Sequence, residues 1–570
     1  MFAAPQNDLL DRAREALALA AAGIADRDAR IADRDARIAA LQAKLDKTEQ
    51  EREALRRAYE RTKVELDLIK RRIFVAKAER VDSHQLEIEF AQKLAELDDL
   101  AGTLGIAADE HEPPAPKTRK GHSKGGRRDL RTLGLIEQRI VLPDPAMEQL
   151  CAQGKAEQIG FDESARLAWP RKAPGVIVLA RPRYRLVGDD GESTIRSAPK
   201  AVELIERCAA SPSLLAHVAV TRHCDGMPLN RIQQMFAREG VTLDRGTMSR
   251  WLEDLGGSLG ATVVHAMRQD ALHNAFCIAT DATGVRIHPG KRQEDKRRPC
   301  RRGHYFVQIA DRRHILFTYV TRETSAAVLE MFAGYEGYVQ ADAKSVFDAL
   351  FRGGTREEVG CWAHSRRKFW ESAVAGSKVA REALARIGRI FELDASWQGQ
   401  PHTAIRRMRQ EHLRPHVEAL LAWAEAERER LGEVRSSLRD ALGYTIRQKQ
   451  ALLAFLSDGR LQMTNNGSER ELRQVAVGRK AWLFSGSDEH AERAGELMSL
   501  VASARLHKLN PQHYLAELIR VVPHWPRDRY IELCPAEWAA TRARLDPAEL
   551  DVEFGPLAVP PPTGEEGGAD

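Results

Sequence analysis

Residues 276–288 read FCIATDATGVRIH, an apolar strand that runs into Asp281 and resumes at Val285 and Ile287. A carboxylate at the centre of a hydrophobic strand is costly to bury unless it is paired or binds a metal. The next stretch, HYFVQIADRRHILFTYV (304–320), reads as two strands joined at Asp311-Arg312-Arg313. A helix is expected around 323–334. GYVQADAKSVF (337–347) then delivers a second carboxylate, Asp342, at the end of a short strand.

Strand–strand–strand–helix–strand, with one aspartate on the first strand and one on the fourth, suggests an RNase H-like core. In that topology the two strands are neighbours, so Asp281 and Asp342 could share a divalent cation. A third piece is MTNNGSERELRQVAVGRKAWLFSGS (463–487), where Asn465, Asn466 and Ser468 precede a helix carrying Glu469, Arg470 and Arg473. Glu469 falls on its first turn. Facing two aspartates, it would complete a hard oxygen-ligand site suited to Mg²⁺ or Mn²⁺. Two such ions activate an attacking oxygen and stabilise a leaving oxygen in phosphoryl transfer.

Upstream, residues 211–254 read as a helix-turn-helix. One helix carries Leu214, Leu215, Val218 and Ala219; a second, after Pro228, carries Leu229, Ile232, Met235 and Phe236 and stops at Gly240. Asp244 can cap a third, with Met248, Trp251 and Leu252 on its buried side. Arg245, Thr247, Ser249 and Arg250 are then expected to face a DNA major groove.

Residues 1–111 read as helix. IADRDAR occurs at 24–30 and 31–37, so Ile24, Ile31, Ile38 and Leu45 recur at seven, the spacing of a dimerising coiled coil. Residues 112–133 form a basic linker. Between 117 and 131 it holds Lys117, Arg119, Lys120, Lys124, Arg127, Arg128 and Arg131 against Asp129 alone, a charge pattern that neutralises backbone phosphates. Residues 134–199 read as a small β-rich module, 200–262 as the helix-turn-helix region, and 375–458 as long helices. Residues 509–544 are expected to be helical. The tail, 545–570, has seven acids and no Lys or Arg, contains PPP and GEEGG, and is expected to be disordered and to compete with DNA for basic surfaces.

The 570 residues carry a net charge of +5, 43% are hydrophobic and 30% charged, which excludes wholesale disorder. No apolar run reaches the roughly 18 residues of a membrane helix, and the N-terminus has no signal-peptide pattern. The seven cysteines are scattered without C-x-x-C, which points to a reducing cytoplasm rather than a disulfide framework. Cys361 and His364 form C-x-x-H without an obvious second pair, so zinc is not expected.

The run TNNGSERELRQVAVGRKAWLFSGS resembles the C-terminal signature of the DDE transposases of the insertion sequence 66 family. GCWAHSRRKFWES (360–372), IATDATGVRI, GYVQADAKSVFDAL, PLNRIQQMFAREGVTLDRGTMSRWL and LDLIKRRIFVAKAERVD are similar to the family in the same order, from about 65 to 530. The resemblance implies a triad of Asp281, Asp342 and Glu469. It implies an RNase H-like catalytic domain, here 263–374 and 459–508, interrupted by the helical insertion 375–458. Glu471 is the rival third acid; Glu469 fits the family's N-N-x-x-E-R pattern. Cys361 and His364, with Asn465 and Asn466, are then supporting residues beside the metals. Arg366, Arg367 and Lys368, and a second cluster of Arg470, Arg473, Arg479, Lys480 and Trp482, are candidate DNA contacts.

The sequence also departs from the family pattern. The zinc-finger-like module retains only Cys151, Ala282 follows the first aspartate, Ala343-Lys344 follows the second, Thr464 precedes the asparagine pair, and Ala481 precedes the tryptophan. The expected function is a transposase that binds the element's inverted repeats, cleaves their ends and joins them to target DNA. It would act as at least a dimer; the resemblance also implies two small accessory proteins of the same element. A non-catalytic DNA-binding descendant and a nuclease without joining activity are the alternatives.

Overall fold

The structure, a computed structural model, describes residues 130–133, 135–169, 174–187, 193–288, 300–433 and 435–562, with scattered positions between 14 and 55. The heptad residues Ile24, Ile31, Ile38 and Leu45 lie outside the described residues. So do the linker residues Lys117, Arg119, Lys120, Lys124, Arg127 and Arg128. The chain divides into two compact units: residues 1–120 with 370–381, and residues 121–369 with 382–570. In the first, the described positions between 14 and 55 are helical, and all but Leu55 are exposed.

The second unit is mixed α/β with two sheets. The first sheet is built on β3 (Gly175–Val187), paired antiparallel along one edge with β2 (Ala156–Ala168). Its other edge is shared by β1 (Ile136–Val141), parallel, and β4 (Ser193–Ser197), antiparallel. Pro182 falls in the gap between those two, opposite neither, where its missing N–H breaks no ladder bond. Arg131, expected in a free linker, is instead paired with Glu163 of β2 at 2.5 Å. Helix α1 (Pro145–Ala152) is capped by Asp144.

Helices α2 (Pro212–His223), α3 (Leu229–Arg238) and α4 (Arg245–Leu259) follow. Gly240 takes φ +76°, a conformation that glycine adopts without steric cost, and the Asp244 side chain accepts from Gly246 N at 2.7 Å to start α4. Beyond α4 the helix runs on through a π-helical turn (Gly260–Val264) into α5 (His265–Asn274), past the boundary at 262 that composition suggests.

The second sheet has strand order β7-β6-β5-β8-β9, with β5 at Cys277–Ile287, β6 at Arg301–Ala310, β7 at His314–Val320, β8 at Gly337–Gln340 and β9 at Arg356–Val359. β5, β6 and β7 are antiparallel neighbours, and β5, β8 and β9 run parallel. The β6–β7 turn has positive φ at both Asp311 (48°) and Arg312 (58°), a hairpin geometry whose twist matches the strands. Alternation sorts the side chains: Phe306, Ala310 and Leu316 join the main core, while Tyr305, Val307, Ile315 and Phe317 face the opposite layer. Between β7 and β8 lies α6 (Ser325–Met331), shorter than the helix expected over 323–334.

After β9 come α7 (Trp362–Val374), α8 (Lys378–Ser396), α9 (His402–Met408), α10 (Arg414–Leu431), α11 (Ser437–Arg447) and α12 (Lys449–Ala454). Then α13 (Asn466–Trp482) and α14 (Asp488–Leu506) cover the Tyr305 face of the sheet. α14 also guards the free edge of β7: Phe317 N donates to Ser499 Oγ at 2.8 Å and Ile315 N to Ser503 Oγ at 2.9 Å. The chain ends with α15 (Pro511–Val521), α16 (Trp538–Arg542) and α17 (Pro547–Asp551).

The tail corrects the expectation of disorder through Pro562. Phe554 is 4% exposed, Glu553 accepts from Ser213 N (2.8 Å) and Oγ (2.7 Å), and Arg520 donates to the carbonyls of Val552, Gly555 and Pro556. The acids at the tail's start are thus partly engaged by the body, because one aromatic anchor and a buried arginine outweigh a polar composition. Residues 563–570 lie outside the described residues.

Candidate active site

Parallel pairing of β5 with β8 sets Ala279 opposite Gln340. Two residues further along each chain stand Asp281 and Asp342. Lys344 joins them: its Nζ lies 3.3 Å from Asp281 Oδ1 and 3.2 Å from Asp342 Oδ2. Glu323, in the loop before α6, comes to 3.9 Å of the same nitrogen, and His304 Nε2 lies 3.6 Å from Glu323. Asp281 Oδ1 also accepts from Ala282 N at 2.7 Å. Asp342 is 9% exposed, and its Oδ1 is buried with no hydrogen-bond partner.

Burial pushes the Asp342 carboxyl up, Lys344 pulls it down, and Asp281 pushes it up again; the outcome lies above the ordinary carboxylate value. Burial works against the Lys344 ammonium, but Asp281, Asp342 and Glu323 outweigh it and hold its pKa above the usual lysine value.

Glu469 sits on the first turn of α13, where a carboxylate is favoured by the helix dipole. Its Oε1 is 3.5 Å from His364 Nε2 on α7. The Cys361 side chain raises the His364 pKa, burial opposes, and Glu469 and Asp342 add to the rise, so the imidazole stays above its ordinary value. Glu471, the rival acid, is half-buried: burial raises its pKa, and the charges that oppose this are Arg505 and Arg470.

Asn465 ties these pieces together. It stands at the N-cap of α13, yet its side chain makes no cap bond. Its Nδ2 donates instead to the carbonyl of Thr280, the residue before Asp281, at 2.7 Å, and its backbone N lies 3.2 Å from Cys361 Sγ. Trp362 N donates to Met463 O at 3.0 Å, and Gln340 Nε2 to Gln462 O at 2.6 Å. The strand of Asp281, the segment after Asp342 and the helix of Glu469 are therefore cross-linked by buried polar contacts. Cys361 and Asn465 lie inside this frame; Asn466 is exposed.

The three acids form two pairs rather than one ligand set. Asp281 and Asp342 share Lys344, and Glu469 pairs with His364. Among the described residues no three His, Cys, Asp or Glu side chains already meet as a metal-binding group. Carboxylates repel one another unless a cation lies among them, and here each pair has its own. Glu323 and Lys344 escape sequence reading. Glu323 falls at the start of the helix expected over 323–334 but lies in the loop just before α6, and Lys344 stands out only as a departure from the family pattern.

The candidate DNA contacts divide. Arg245 and Arg250 are exposed on α4, with Arg250 donating to Thr247 Oγ1 at 3.2 Å. Arg470, Arg473 and Lys480 are exposed on α13, and Arg367 is exposed on α7. Arg366 is half-buried, and Lys368 lies over the Tyr444 ring at 5.1 Å. Three others are turned inward, contrary to expectation. Ser249 Oγ is 2.9 Å from His490 Nε2 on α14, because α4 packs on that helix. Its glycines permit the approach: a Cβ on Gly256 would stand 2.4 Å from Arg493 O. Arg479 donates to Thr283 Oγ1 and Gly284 O, tying α13 to β5, and Trp482 lies under the Arg222 guanidinium at 4.8 Å. Among the described residues no helix is long and apolar enough to cross a membrane.

The chain is similar to "Uncharacterized protein y4qI" of Sinorhizobium fredii (strain NBRC 101917 / NGR234), with 27% identity over 474 residues, 80% of this chain and 84% of the relative. "Uncharacterized protein y4jD" of the same strain is 25% identical over 508 residues, 84% of this chain and 94% of the relative. Residues 499–536 match the "IS66 C-terminal element". Residues 207–493, half of the chain and all of the site just described, match "Transposase IS66 family", and the chain belongs to that family.

Proposed function

We propose that the protein is a DNA transposase of the DDE type, with an RNase H-like catalytic core, in which Asp281, Asp342 and Glu469 cleave and rejoin phosphodiesters at the ends of an insertion sequence. One observation carries the reading: the β5–β8 register sets Asp281 and Asp342 around one cation, while Asn465 fixes the helix of Glu469 to the same strand.

The donor set fits hard divalent cations. The acids offer oxygens, Asp342 Oδ1 is buried without a partner, and the Lys344 ammonium already occupies a cation position between two of them. Asp281, Asp342 and Glu469 would hold Mg²⁺ or Mn²⁺, two ions in the full site. When bound, these supply an activated attacking oxygen and charge neutralisation at the leaving oxygen. Asp281 and Asp342 bind from the sheet and Glu469 from the facing helix, so the scissile phosphate is received between them. His364 orients the Glu469 carboxylate through Nε2. Asn465 holds the frame in register. The exposed cations Arg470, Arg473 and Lys480 on α13, with Arg245 and Arg250 on α4, bind the DNA backbone. Arg119, Lys120, Arg127 and Arg128 of the linker add sequence-independent attraction. A homo-oligomer holds two element ends together.

Cleavage of end-labelled element DNA in Mg²⁺ tests the assignment of the third acid. Glu469→Gln is expected to lower the rate at least ~10³-fold, on the scale of ~4 kcal/mol of barrier, while Glu471→Gln retains it within a few-fold. The reverse pattern would transfer the role to Glu471.

A further inference from the structure

Lys344 has no place in the proposed chemistry, yet its ammonium lies among three carboxylates of the cleft. It reaches Asp281 at 3.3 Å, Asp342 at 3.2 Å and Glu323 at 3.9 Å. A flexible lysine held by three carboxylates has given up much of its rotamer freedom, so the arrangement is stable only because the acids attract it strongly. The acids need it equally. Asp342 is nine-tenths buried with Oδ1 unpartnered, and two carboxylates side by side repel each other unless a positive charge lies between them.

We infer that Lys344 is a resident counter-cation that competes with the divalent ion for Asp281 and Asp342, so the metal enters only as the ammonium leaves. This rests on the reading of these aspartates as metal ligands. The competition follows from geometry and charge. One volume between Asp281 Oδ1 and Asp342 Oδ2 cannot hold both an ammonium and a hydrated divalent ion, and an ammonium left nearby repels the incoming ion. The released lysine has a waiting partner in Glu323, whose Oε1 is buried and lacks a hydrogen bond. The cleft thereby keeps its aspartates aligned without metal, at the cost of weaker metal affinity.

The test is a Mn²⁺ titration of the full chain without DNA, reading the free Mn²⁺ signal by electron paramagnetic resonance. Lys344→Met is expected to bind Mn²⁺ at least tenfold more tightly than the natural protein. Lys344→Arg, which keeps the charge, and Lys449→Ala, which removes a remote surface cation paired with Glu425, should stay within twofold of it. Circular dichroism melts of each variant establish that it is folded. Equal or weaker binding by folded Lys344→Met overturns the inference. Adding Asp342→Asn to Lys344→Met separates the two levels of failure. Loss of the gained binding supports both the inference and the metal reading, whereas tight binding that survives places the ion elsewhere and overturns both. If Lys344→Met gains nothing while Asp342→Asn alone abolishes binding, the metal reading stands and the role of Lys344 falls.

Discussion

At the scale of single residues, the carboxylates were readable because each interrupts a pattern. Asp281 breaks an apolar strand, Asp342 ends one, and Glu469 follows an asparagine pair at a helix start. Their supports were less readable. Asn465 looks like a helix cap in sequence, but its amide crosses to Thr280. Lys344 and Glu323 gain meaning only when the β5–β8 register is known. A second buried network contributes to the response to pH. His314 is fully buried, with Nε2 2.7 Å from Asp270 Oδ2, and Arg313 Nε reaches the same oxygen at 2.9 Å. Burial lowers the His314 pKa more than Asp270 restores it. Burial raises that of Asp270, but bonds from Asn274, His314 and Arg313 together bring it below the usual range. Both groups therefore bind protons more readily in the unfolded chain. Their stabilising effect is complete above about pH 6.5, declines as His314 is forced to protonate below that, and declines again below about pH 4 as Asp270 does. Urea midpoints should fall between pH 7.5 and 5.5, and His314→Gln should show a smaller fall. An unchanged pH dependence in the variant would assign the effect to other groups.

At the scale of elements, strand alternation made β5, β6 and β7 legible, and the order of strands and helix made β5 and β8 expected neighbours; their parallel pairing is a finding of the structure. Alternation could not show how the free edge of β7 is protected. Gly495, Ser499 and Ser503 recur at four-residue spacing on α14, which in sequence is only a small-residue stripe. In three dimensions the two hydroxyls pair with the N–H groups of Phe317 and Ile315, and a Cβ on Gly495 would stand 3.0 Å from Phe317 O. Ser503→Ala leaves the Ile315 N–H buried and unpaired, and should cost ~1–3 kcal/mol in denaturant unfolding. A loss below a few tenths would mean that the edge is satisfied otherwise. The helices α2, α3 and α4 were legible in apolar spacing and in the Asp244 cap. What escaped was that α4 presents Ser249 to α14, since a lone sequence does not reveal which face of a helix a distant helix will cover.

At the scale of the whole molecule, the described residues form a mixed α/β structure, as the sequence reading expects, while the tail departs from it. Acid content and a proline run suggested disorder from 545 onward, yet Glu553, Phe554 and the backbone accepting from Arg520 dock it. Composition averages over a segment, whereas docking depends on a few anchors. Phe554→Ala should destabilise the second unit by ~3 kcal/mol, and a chain ending at Arg544 should melt lower than the full chain. A truncated chain that melts at the same temperature would show the docking to be incidental. The net charge of +5 is therefore an uneven distribution in which some acids serve packing.

Asp281, Asp342 and Glu469 are proposed to act together in phosphoryl transfer on element ends. The most direct measurement is strand transfer by the purified full chain, with Mg²⁺, labelled element ends and a plasmid target. It should be run beside Asp281→Asn, Asp342→Asn and Glu469→Gln, each verified to bind the ends by mobility shift. Joined products are expected from the natural protein, and at least ~10³-fold less from every variant at unchanged end binding. Joining that persists in any one of the three variants would contradict their joint role.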